Sequence, residues 1–180
     1  GALTAFIYGM RDREQVLNVM EETTGGRLIQ NYYRIGGCQA DIDPNFVKNV
    51  KKLCEYVKPM FKEYDDIFTG NVILQNRFKN VGVLSKDDAI SFGCTGGTGR
   101  ASGWHNDVRK NHPYAMYGNV DFDEIVYTHG DCFDRYKVRL DEMRQSVRII
   151  EQLIDNIPEG EFYIKQKPII KVPEGSWYTS

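Results

Sequence analysis

A periodic run toward the C-terminal end constrains the fold of this chain more than any other feature. Phe133, Tyr136, Leu140, Met143, Val147, Ile150, Ile154 and Ile157 are spaced 3, 4, 3, 4, 3, 4, 3. That alternation places apolar side chains on one stripe of an α-helix, whose turn holds about 3.6 residues. Pro158 ends the run, because proline lacks the amide hydrogen that a helix interior needs. The spacing predicts a helix of about 25 residues, some 37 Å long. Arg135, Lys137, Arg139, Asp141, Arg144 and Arg148 fall off the stripe. The stripe therefore reads as the core contact of a helix bundle and not as a cofactor box.

Partner helices are visible upstream. Residues 4–24 carry Phe6, Met10, Leu17 and Met20 near one face, and Gly25-Gly26 supplies a stop. In "DPNF", Asp43 suits the N-cap and Pro44 the first turn of a second helix. Its stripe is Phe46, Val50, Leu53, Val57, Phe61 and Tyr64, and Pro59 within it predicts a kink or a break. A short helical piece is expected around 71–78. "SKDDAISFG" reads as a small helix with Ser85 as cap, Asp88 at the third position and Gly93 as stop. "GRLIQNYYRIGG" (26–37) is too short and irregular for a helix, and "YGNVDFDEIVYTHGD" has no clear period. Prolines 158, 168 and 173 make the last segment extended. The expected class is mainly α: a helix-bundle core with long glycine-rich, shaped loops over 1–157, then an extended segment over 158–180.

Composition removes several function classes. With 23 basic and 25 acidic residues the formal net charge is −2, so no global basic field draws in nucleic acid. No window approaches the 18 or so apolar residues of a membrane span, and the first residues do not form a signal peptide. The four cysteines, at 38, 54, 94 and 132, include no C-x-x-C pair and none near a histidine in ligand spacing. Free thiols in a reducing compartment are expected, and no metal site. The chain opens at Gly1 without Met and stops at "EGSWYTS", so both ends read as cuts inside a longer protein.

The stretch "TGGTGRASGWHNDVRKNHPY" (95–114) concentrates glycines, two histidines and three basic residues. A dinucleotide fingerprint fails, because Ser102 stands where the third glycine is needed and no strand clearly precedes it. A P-loop fails for want of G-K-[ST]. His105, Asp107 and His112 lack the spacing of a helical two-histidine metal site, and a Cys94–His105 nucleophilic pair needs a geometry that sequence does not supply. Glycines 93, 96, 97, 99 and 103 argue for special backbone geometry and close approach to something.

Four segments in order go further: "LTAFIYGMRDRE", "GRLIQNYYRIGG", "TGGTGRASGWHNDVRKNHPY" and "GDCFDRYKVRLDEMRQSVRIIEQ". Together they closely resemble the D-subunit family, the 49 kDa type, of respiratory complex I, the proton-pumping NADH–quinone oxidoreductase. The resemblance covers essentially the whole chain. It implies a central fragment of a subunit about twice this length, with a core like that of the nickel–iron hydrogenase large subunit. It also implies a place in the peripheral arm, on the cytoplasmic face of the inner membrane. The partners would be the iron–sulfur subunit with the terminal 4Fe–4S cluster, other complex I subunits, and quinone.

The family's quinone-contacting His and Tyr, and the Asp paired with that His, lie upstream of this chain. The resemblance therefore implies no catalytic residue and no bound cofactor here, and an inactive isolated fragment. Arg27 and Arg34 match the family's two cluster-proximal arginines. Ile29 stands where the family usually has His, so proton-coupled behaviour of the cluster is not expected here. Arg100, Asp107, Arg109 and Lys110 match the strongest loop motif, as residues that lock the loop against the bundle or a neighbouring subunit. Two alternatives stay open: the large subunit of a membrane-bound hydrogenase-like complex, and a redox-silent scaffold module.

Overall fold

The computed structural model describes residues 3–165 and 173–178. Its long elements are three helices: α1 (Leu3–Thr24), α2 (Phe46–Tyr64) and, defined below with the shorter ones, the C-terminal helix Cys132–Leu153. Between the first two lies a small antiparallel hairpin, β1 (Tyr33–Arg34) with β2 (Gly37–Cys38), in the register Tyr33 to Cys38 and Arg34 to Gly37. A π-helical turn, Asp65–Thr69, follows α2 and leads to the short helices α3 (Val72–Phe78), α4 (Lys86–Ser91), α5 (Gly96–Ala101) and α6 (Val108–Asn111). A 3-10 turn, Tyr117–Asn119, precedes the C-terminal helix, α7 (Cys132–Leu153). The class is mainly α, as the periodicity predicts.

In α7 the Asp131 carboxylate caps the first turn, accepting from the Asp134 amide at 2.8 Å, and it also accepts from the Asn80 amide at 2.8 Å. Phe133, Leu140, Val147 and Ile154, every seventh residue of the stripe, are buried. The last three form one cluster with Val50, Cys54 and Phe61 of α2. The alternate members differ from expectation. Tyr136 is only partly buried, and Met143, Ile150 and Ile157 are exposed. Val138 and Ile149, off the stripe, are buried instead. The helix thus buries two faces, one against α2 and one that meets α5. It is also shorter than the run, ending at Leu153 with Ile154 as the C-cap residue, so Ile157 lies beyond it.

The other long helices bring further corrections. Asp43 is not the N-cap of α2. It forms the preceding turn, accepting the Asn45 amide on its side chain at 2.7 Å and the Phe46 amide on its carbonyl at 2.8 Å, and Asn45 is the cap residue. Pro59 does not break α2. Both Pro59 and Glu55, whose carbonyl loses its usual partner, are exposed, so water can serve that carbonyl. In α1 the helix forms as expected, but its apolar face is not buried. Asp12 is its buried residue, while Phe6, Met10, Val16 and Met20 are exposed.

The small elements α3 and α4 match the reading. Ser85 accepts from the Asp88 amide at 3.1 Å and donates to the Asp88 carboxylate at 2.7 Å. The glycine-rich stretch is partly helical rather than all loop, since Gly96–Ala101 form α5. Gly97 and Gly99 explain its close seat. A methyl group on Gly97 would lie 3.3 Å from Val138 of α7, and one on Gly99 would lie 3.0 Å from both the Cys94 carbonyl and the Trp104 ring. After α7, the chain returns to the hairpin, where the Cys38 amide donates to the Phe162 carbonyl and the Ile164 amide to the Gly36 carbonyl, both at 2.9 Å. The rest of the expected extended tail, residues 166–172 and 179–180, lies outside the described residues.

Candidate functional site

Two regions hold the residues that the sequence singles out. The first is the hairpin and the segment leading into it. Arg27 turns back onto α1, pairing with Glu14 and Glu21 and donating to the Asn18 side chain at 3.0 Å. Its charge is largely met within the chain. Ile29 is 83% exposed, and Arg34 is exposed on β1 with no ion pair among the described residues. Leu28, Tyr33 and Ile35 are exposed as well. The structure therefore does not gather Arg27, Ile29 and Arg34 into one pocket. Ile29 and Arg34 are exposed in a segment with three other exposed large apolar side chains, and Arg27 is held on α1. Four exposed large apolar residues within 28–35 give this segment apolar surface that a partner would cover.

The second region is the loop from Arg100 to Lys110. Asp107 is 3% exposed and caps α6, accepting from the Arg109 amide at 3.0 Å. Arg109 closes a fork on the same carboxylate, with Nε at 2.9 Å and a terminal nitrogen at 2.5 Å. Those hydrogen bonds, working against burial, hold the Asp107 carboxyl below its usual range. The Arg109 guanidinium lies 4.9 Å and the Lys110 ammonium 4.6 Å from the ring centre of Phe122, a core residue. Arg100 is buried, donates to the Asn106 carbonyl at 3.2 Å and pairs with Glu142 of α7. So Arg109, held by Asp107, and Lys110 converge on Phe122, and Arg100 ties the loop to the long helix.

The loop's histidines stand apart from these. Among the described residues His105 reaches Glu124, at 3.1 Å, and is itself exposed. Among the described residues no three His, Cys, Asp or Glu side chains form a group that could hold a metal ion. Neither region contains a nucleophile beside a base.

Sequence reasoning missed Asp12. It accepts from the Tyr64 hydroxyl at 2.6 Å, from the Tyr56 hydroxyl at 3.0 Å, and from Arg11 at 2.7 Å. Burial works against ionisation, but the hydrogen bonds from Arg11, Tyr64 and Tyr56 outweigh it and keep the carboxyl below its usual range. Burial and the Asp12 charge together push the Tyr64 hydroxyl upward. The available signal was an acidic residue on the same helical face as Ala5, Gly9 and Val16. A second network missed in the sequence joins α7 to the π-turn: Arg144 pairs with Asp65 at 2.5 Å and with Asp141, which accepts from the Tyr127 hydroxyl at 2.6 Å.

Fold and surface define a mainly helical protein with an apolar hairpin left open and an ion-paired loop clamped to its longest core helix. The family model of the respiratory-chain NADH dehydrogenase 49 kDa subunit matches residues 1–180, and the chain belongs to that family. It is 68% identical over 180 residues to the C/D subunit of NADH-quinone oxidoreductase from Phocaeicola vulgatus, covering all of this chain and 35% of that protein. It is 44% identical over 181 residues to the D subunit of NADH-quinone oxidoreductase from Desulfotalea psychrophila, covering all of this chain and 49% of that protein. With the D 2 subunit from Rhizobium etli it shares 39% identity over 173 residues, 96% of this chain and 43% of the other. The chain thus spans a third to a half of the length of these relatives. No described helix is long and apolar enough to cross a membrane.

Proposed function

We propose that this chain is part of the quinone-site subunit of an NADH–quinone oxidoreductase, in the peripheral arm on the cytoplasmic face of the membrane. Electrons would pass beside it from a neighbouring subunit's 4Fe–4S cluster to quinone, in the reaction that drives proton translocation. The observation that carries the reading is the exposure of Leu28, Ile29, Tyr33 and Ile35, in the hairpin and the segment leading into it, in a chain whose family is that of the 49 kDa subunit. An apolar face of this kind suits burial against the cluster-bearing subunit.

The donor sets fit a cluster held by the neighbour and not by this chain, since none of the hairpin residues is a ligand type except Cys38. What this chain supplies is charge and exclusion of water. Arg34 would bring a permanent positive charge to the contact, and a guanidinium keeps its proton whatever the cluster's redox state. Arg27, already paired with two carboxylates of α1, would hold the segment to that helix and add little net charge. Ile29 would exclude water without taking up a proton. Arg100, Asp107, Arg109 and Lys110 would hold the long loop in shape.

Ile35→Asp in the complete complex tests the docking face. Ile35 is well exposed, so the fold should survive. The expected result is loss of co-purification with the iron–sulfur subunit, with the helical circular dichroism of the chain unchanged. Full retention of that subunit would count against this docking face.

A further inference from the structure

We draw no further inference here: the strongest candidate, the half-buried Cys132 thiol in the first turn of α7, which the Arg135 guanidinium approaches at 3.3 Å, is a lone cysteine at a helix N-terminus, and nothing else among the described residues points to a ligand there.

Discussion

Asp107 shows how a single residue can hold a loop that sequence motifs leave without a chemistry. Its carboxylate is buried, caps α6 and takes the Arg109 fork. The hydrogen bonds depress its folded-state pKa below the ordinary value of 3.8. As pH falls, the unfolded chain therefore takes up this proton before the folded one does. The stabilisation is fully present above the unfolded pKa and is lost as pH falls through the folded value. Asp12 and Asp131 are shifted in the same direction and add to the same acid limb. Asp107→Asn should cost about 1–3 kcal/mol at pH 7, the range for breaking a buried hydrogen bond to a charged group. The gap between variant and wild type should narrow steadily as pH falls below the ordinary carboxyl value. Urea midpoints followed by tryptophan fluorescence at several pH values check both the size and the sign. A gap that widens with acid would contradict the assignment.

At the scale of elements, α7 gives the clearest lesson in what periodicity can show. The run from Phe133 to Ile157 located the helix, because few structures besides a helix produce a sustained 3,4 alternation. It did not rank the stripe's members. A helix touched on one side by α2 buries one ridge fully and leaves the flanking ridge, with Met143 and Ile150, at the edge. Val138 was invisible as core, since its burial comes from α5, a helix hidden in a glycine-rich stretch. Gly97 and Gly99 there mark close packing, which sequence alone cannot separate from loop flexibility. The cost of an inserted carboxylate should follow burial and not the stripe. Val138→Asp, at a fully buried position, should cost about 4 kcal/mol or more. Ile150→Asp, where 36% of the residue is exposed, should cost about 1 kcal/mol. Thermal melts of the two variants decide, and equal losses would refute the two-faced account of α7.

For the whole molecule, the family was legible because four segments stand in order along the chain, and the family model covers all of it. The arrangement of the site residues was not legible. Arg27 and Arg34 look equivalent in "GRLIQNYYRIGG", yet one is spent on Glu14 and Glu21 and the other stays on the open face. That difference depends on where α1 ends relative to the hairpin, which no local spacing encodes. The exposed apolar residues of α1 were not legible either: periodicity marks a face, and not whether another element covers it.

The central claim is that Ile29 lies on the contact with a redox cluster. An imidazole at this position, beside a cluster, would take up a proton as the cluster gained an electron, since added negative charge favours the protonated form. Isoleucine cannot titrate. The measurement is a redox titration of the terminal cluster in the intact complex, by electron paramagnetic resonance, at several pH values from about 6 to 8, the range of an ordinary histidine. The account predicts a potential nearly independent of pH in the wild type. In Ile29→His a dependence should appear that approaches about 59 mV per pH unit, the one-electron, one-proton slope. A wild-type slope already near that value, and unchanged by Ile29→His, would contradict it.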